Sequence, residues 1–219
     1  MTIFLSELRL SRDDYWKIRT GNGNVFDAYT LHKIIYSLFP LEMNENSNAP
    51  EGSGRFLYLD CDFTGKSREK RVLIVSERAP NRPDIGKLRT EEIPEGFLDH
   101  DRYGFEIVVN PAVRDNKTGK IIPIRSSEHV RLLEWFQQKA PACGFKVEEG
   151  SLAVGHTDVM KFKKAGHDVV IGRVQYTGRL TVIDRAAFIK SFVQGIGREK
   201  AFGCGLLRIV PLSNASSDA

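Results

Sequence analysis

What this sequence lacks narrows its function before any motif is read. It has three cysteines in 219 residues, Cys61, Cys143 and Cys204, odd in number and far apart. No CxxC pair occurs, which argues against a zinc ribbon, a thioredoxin-like site and a disulfide framework. A reducing compartment, the cytoplasm, is the expectation. No run of about 18 apolar residues exists, so no membrane span is expected. The first ten residues are too polar for a signal peptide. Charge of one sign is also missing: 32 Lys and Arg stand against 28 Asp and Glu, a net +4 that permits an anionic partner without proving one. What is present is an apolar fraction of 41%, enough for a packed core and too high for disorder. The length fits one large domain or two small ones.

Hydrophobic periodicity outlines two halves. In the first, Ile3, Leu5, Leu8 and Leu10 mark a strand. Gly21-Asn22-Gly23-Asn24 is a turn that offers a helix cap, and residues 25–39 read as a helix that Pro40 ends. Residues 44–54 form a polar loop, and 56–61 and 71–75 are strands joined through a basic turn at 66–70. Residues 79–96, rich in proline and charge, hold at most a short helix and a strand. A boundary falls near Leu98, giving units of 1–98 and 99–212; the polar tail 213–219 is expected to be disordered. In the second half, Phe105, Ile107 and Val109 alternate along a strand that Pro111 closes. A basic loop at 114–120 and a strand-like stretch at 121–124 follow. Ser126 or Ser127 caps a helix to Lys139 with Val130, Leu133, Trp135 and Phe136 inward. Residues 145–154 and 169–183 are strands with a hairpin tip at 155–168. Asp184 caps a helix to Val193, and 206–211 is the last strand.

The second half is thus βαββαβ with an insertion after its first strand; the first is βαββ and something short. The expected fold class is α+β, two tandem ferredoxin-like (RRM-like, βαββαβ) domains whose sheets face one cleft. No residue-level repeat links the halves, so a single α+β domain stays open.

The basic excess is local. Residues 155–208 carry ten Lys and Arg against four acids. Lys161, Lys163 and Lys164 cluster at the hairpin tip around Phe162, and Arg173 follows. Such a hairpin can neutralise nucleic-acid phosphates, or it is a solvated turn with solubilising lysines. His156 and His167, with Asp158 and Asp168, flank the tip; their spacing matches no metal motif, and no metal or other cofactor is expected. Tyr15 and Trp16 can stack a base or pack at a boundary.

Residues 195–211, GIGREKAFGCGLLRIVP, are the most informative segment. Gly195, Gly197, Gly203 and Gly205 imply positive φ or close approach by a ligand, and Arg198 and Lys200 add cations suited to phosphate. GxGxxG would need glycine at Lys200, and the segment has no Gly-Lys-Ser/Thr. A helix precedes the glycines and a strand follows, the reverse of a dinucleotide fold.

On the helix near residue 30, Leu31, Ile34, Ile35 and Leu38 form an apolar stripe, while Tyr29, His32 and Tyr36 fall on a neighbouring flank. Tyr29 and His32 are three apart and therefore neighbours. An imidazole beside a phenol near the surface can hold and move protons at neutral pH, or it is a boundary histidine bonded to a carbonyl.

The glycine-rich segment and Tyr29-Thr30-Leu31-His32 together resemble the CRISPR-associated CasE family, the endoribonuclease subunit of type I-E Cascade; Arg198 stands where the family often has proline. The strand FEIVVNP at 105–111 is similar to the one that opens the family's second domain. The resemblance implies cleavage of precursor CRISPR RNA at a repeat stem-loop without a metal, by attack of the 2′-hydroxyl, leaving 5′-hydroxyl and 2′,3′-cyclic phosphate ends. It implies His32 and Tyr29 as catalytic, with Lys161, Lys163, Lys164, Arg173, Gly195, Gly197, Arg198, Lys200, Gly203 and Gly205 on the RNA, which crosses the cleft between the sheets. Partners would be the repeat RNA and other Cascade subunits, with no membrane. A binding-only protein that caps CRISPR RNA, and an enzyme holding a small phosphate ligand on the glycine loop, are the alternatives.

Overall fold

In the first half, two strands bury side chains on both faces of the sheet, a third buries one face, and the fourth, at an edge, is mostly exposed. The computed structural model describes residues 1–18, 27–40, 56–61, 69–164 and 166–213. The half runs β1 (Phe4–Leu10), α1 (Arg12–Lys17), α2 (Ala28–Ser37), β2 (Phe56–Asp60), β3 (Lys70–Ser76) and β4 (Lys87–Glu92). Its antiparallel sheet has the order β2-β3-β1-β4. Leu8, Leu10, Tyr58, Val72 and Ile74 face α2, whose Leu31, Ile35 and Leu38 recur at helical spacing and bury against them. Each of those three helix side chains contributes roughly 2 kcal/mol by leaving water. On the opposite face Leu57, Leu59 and Val75 join the core of the second half.

The second half runs β5 (Arg102–Val109), β6 (Ala112–Arg114), β7 (Ile121–Pro123), α3 (His129–Lys139), β8 (Phe145–Val147), β9 (Ala153–Lys164), β10 (His167–Val182), α4 (Arg185–Gln194) and β11 (Leu207–Pro211). Its sheet has the order β11-β5-β10-β8, with β9 pairing the outer length of β10 and β6–β7 forming a separate ribbon. Both orders are those of a ferredoxin-like unit, so the fold is α+β with two such units in tandem. An aromatic stack fills the second core: Phe136 lies on Tyr176 at 4.7 Å between ring centroids and on Phe105 at 5.5 Å. The buried Tyr176 hydroxyl donates to the Leu132 carbonyl at 3.0 Å, as a phenol in an apolar core requires.

Several expectations change. The described helix begins at Ala28, capped by Asp27, whose carboxylate accepts from the Thr30 amide at 2.8 Å. The turn at 21–24, the loop at 44–54, most of the basic turn at 66–70 and residues 214–219 of the tail lie outside the described residues. Ser11 starts α1 with a capping box to Asp14 that was not anticipated. Tyr15 packs on the first core, and Trp16 is exposed. Helix α3 starts after Glu128, not at Ser126 or Ser127, and buries Leu132 and Phe136 while Val130 faces out. Residues 145–154 are not one strand: a turn separates β8 from β9. The expected tip at 155–168 is itself strand, paired as far as Lys164 with His167.

Candidate active site

The N-cap at Asp27 fixes the phase of α2, so Tyr29, His32 and Tyr36 share a flank turned toward the second half. His32 Nδ1 lies 2.7 Å from the carbonyl oxygen of Ala201, within the short 3-10 turn Lys200–Phe202. A carbonyl only accepts, so Nδ1 donates, and in the neutral ring Nε2 holds the lone pair. The Tyr58 hydroxyl donates to the same oxygen at 2.9 Å. The imidazole sits against Tyr36 at 4.0 Å and Phe202 at 5.1 Å between centroids. Tyr29 lies nearly parallel to it at 6.0 Å, and Phe162 of β9 packs on Phe202 at 4.6 Å.

Burial lowers the His32 pKa below its ordinary value; the Ala201 bond opposes this, and the charges of Lys164 and Lys33 lower it further. The ring is therefore biased toward neutral, with a proton-accepting Nε2. Burial pushes the Tyr36 and Tyr58 phenols up, so both stay protonated donors at neutral pH.

The structure divides the basic residues. Strand alternation puts Lys164 on the side of Phe162, with its Nζ 5.9 Å from the Phe202 ring, and turns the exposed Lys161 and Lys163 to the other side. Arg173 departs from expectation: it is 8% exposed and its guanidinium pairs with Asp158 across the β9–β10 ladder. Arg179, Arg185 and Arg208 are likewise held by Glu148, Asp101 and Glu106. Arg198 is exposed. Lys200 is half-buried, which lowers its pKa, and its titratable neighbours are Cys143 and Lys139, not His32.

All four loop glycines have positive φ. Two of them permit a close approach to β2: a Cβ on Gly195 would lie 2.7 Å from Leu57 Cδ2, and one on Gly203 3.1 Å from Tyr58 Cε2, while one on Gly205 would meet the Ile196 carbonyl oxygen at 2.6 Å. The loop thus docks one half on the other and presents Ala201 to His32.

A cavity of about 480 Å³ lies between the sheets, apolar, lined by Leu5, Leu73, Phe105, Phe192 and Ile209 with Glu91 and Glu92 at its rim. None of the candidate site residues lines it; His32 sits behind the first sheet, on the helix side. His156, His167, Asp158 and Asp168 do not converge, and among the described residues no group of three or more His, Cys, Asp or Glu gathers. Sequence reasoning missed Tyr58, Phe202 and the Ala201 carbonyl. Tyr58 reads as an ordinary strand residue in FLYLD, and a backbone acceptor leaves no residue-type signal.

Two ferredoxin-like units that place one imidazole across their seam define a duplicated ferredoxin-like protein with a composite site. The chain belongs to the CRISPR associated protein family, whose model matches residues 3–211. This bears out the resemblance read from the motifs. The chain is 26% identical to the CRISPR system Cascade subunit CasE of Escherichia coli over 199 residues, covering 85% of this chain and 93% of that protein. It is 28% identical to the CRISPR-associated endoribonuclease Cse3 of Thermus thermophilus over 120 residues, covering 50% of this chain and 56% of that relative. In structure it is similar to Thermus thermophilus Cse3 bound to an RNA representing a pre-cleavage complex, with a TM-score of 0.76 at 18% identity, covering 96% and 100% of the two chains. It is also similar to Cas6e of Escherichia coli, with a TM-score of 0.67 at 23% identity, covering 95% and 100%. At such identities these likenesses concern the fold. Among the described residues, no helix is long and apolar enough to cross a membrane.

Proposed function

We propose that the chain is a CRISPR RNA-processing endoribonuclease, built from units 1–98 and 99–212, that needs no metal and remains on its product as a Cascade subunit. The observation that carries the reading is the His32–Ala201 bond, which leaves Nε2 as a proton acceptor beside Tyr29. The family membership and the RNA-bound relative support the substrate class.

RNA carries its own nucleophile. In this reading His32 Nε2 takes the proton of the 2′-hydroxyl, the 2′-oxygen attacks the adjacent phosphorus, and the bond to the 5′-oxygen breaks. The departing oxygen takes a proton from the Tyr29 phenol or from water. The products are a 2′,3′-cyclic phosphate and a 5′-hydroxyl. Lys164, on the His32 side of β9, offsets charge building on the phosphate. Lys161 and Lys163, on the other side, and Arg198 contact phosphates of the repeat stem-loop. An A-form stem hides its base edges in a narrow groove, so shape and phosphate contacts dominate its recognition.

The test is cleavage of a labelled repeat stem-loop in EDTA, with wild type beside His32→Ala. Wild type is expected to cut, and the variant to lose about 10²–10⁴ in rate with RNA binding intact. Tight binding by a wild-type protein that never cuts would replace this reading with an RNA-capping role.

A further inference from the structure

We propose that Tyr58 is a positioning residue for His32, acting through the Ala201 carbonyl that both side chains share. The kinetic part of this rests on the ribonuclease reading; the hydrogen-bond part does not.

A carbonyl oxygen has two lone pairs, and here two donors use them: Tyr58 Oη at 2.9 Å and His32 Nδ1 at 2.7 Å. Tyr58 is 2% exposed on β2, so water does not compete for its hydroxyl. The turn that carries Ala201 is bounded by left-handed residues, Glu199 at φ 57° and Gly203 at φ 80°. Gly203 lies against the Tyr58 ring, where a Cβ would come within 3.1 Å of Cε2. Tyr58 therefore grips the turn twice, by its ring against Gly203 and by its hydroxyl on Ala201.

The consequence concerns which nitrogen of His32 carries the proton. With the oxygen fixed, the neutral ring keeps its hydrogen on Nδ1. Without the Tyr58 hydroxyl, only His32 holds the oxygen, the turn can swing, and the Nε2–H tautomer gains population. In that tautomer the outward nitrogen cannot accept a proton. The polar groups facing His32 are Tyr29, Lys33 and Tyr36 from α2, Tyr58 from β2 and Lys164 from β9; Cys204, Tyr36, Asp60 and Arg173 face Tyr58. Tyr58→Phe removes a neutral hydroxyl and alters no charge among them. A change at His32 then reports the shared hydrogen bond and not the field.

The experiment uses the full chain with ¹⁵N-labelled histidine. NMR above the His32 titration reads the tautomer from the two ring-nitrogen shifts. Cleavage of the repeat stem-loop is measured at saturating RNA and across RNA concentration. Wild type is expected to be almost wholly Nδ1–H. Tyr58→Phe is expected to populate Nε2–H and to slow the saturated rate about tenfold, with half-saturating RNA unchanged. Gly203→Ala, which pushes the turn off the ring while keeping the hydroxyl, is expected to shift the tautomer the same way. A Tyr58→Phe protein with the wild-type tautomer overturns the proposal, whatever its rate. A tautomer shift in a protein whose wild type cuts no stem-loop keeps the positioning role and overturns the ribonuclease reading.

Discussion

The two halves share a strand order and differ in what covers their sheets. The second sheet is roofed by its own helices, α3 and α4, over an aromatic core. Among the described residues the first has α2 in that role, with Tyr15 of α1 beside it, and its other face uses the second half as cover, through Leu57, Leu59 and Val75. The difference teaches that the second half is the platform and the first the passenger. The passenger brings the histidine; the platform brings the carbonyl that orients it.

The largest test of that asymmetry is in the second core. Phe136→Ala should cost about 3–5 kcal/mol. If the passenger depends on the platform, both halves then melt together at lower urea. The two tryptophans, Trp16 and Trp135, lie one in each half, so Trp16→Phe and Trp135→Phe versions report each separately. Coincident transitions are expected, and separated ones would break the comparison. The seam itself is tested by Gly195→Ala. Its backbone, φ 77° and ψ 160°, is a conformation nearly reserved for glycine, and the methyl meets Leu57. A loss of about 3 kcal/mol in urea denaturation is expected.

Acid should act more gently, through His32. Its folded pKa lies below the ordinary 6.5, so between the two values the unfolded chain binds more protons. Stability from this group is therefore complete above pH 6.5 and declines as pH falls toward the lowered value. Urea midpoints between about pH 7.5 and 5 should show this component in wild type and lose it in His32→Gln. Cleavage should rise with pH through the same lowered value, its acid limb below 6.5. The smallest effects separate the faces of β9. Lys161→Ala, Lys163→Ala and Lys164→Ala should each flatten the salt dependence of RNA binding by about 0.7–0.9 in log–log slope. Of the three, Lys164→Ala should also move the acid limb upward, because it removes a positive charge facing His32.

Where one face of an element is buried, its residues announce it. Phe105, Ile107 and Val109 alternate and form β5; the stripe through Leu31 and Leu38 forms α2. Where both faces meet water, no period exists to read. Strand β4 is KLRTEE, mostly exposed, and along β9 Phe162 alone is buried, so its lysines and the exposed Val159 leave little phase to read. In α3 the apolar residues wrap around the helix, so Val130 and Leu132 compete for the inward phase and sequence alone favours neither. The site was legible to the extent that it rests on side-chain identity. Tyr29 and His32 carry a spacing, but their orientation depends on a main-chain oxygen. Arg173 looked like one more cation because nothing local reveals that Asp158 stands opposite it in the ladder.

The bond between His32 and Ala201 joins residues 169 positions apart. Synthesis therefore makes the imidazole early and its orienting carbonyl near the end. A nascent chain still on the ribosome, or one cut short by a premature stop before the glycine loop, holds a histidine with no assigned tautomer. The contact that orients the imidazole arises only after the last helix and the loop behind it have folded back onto β2.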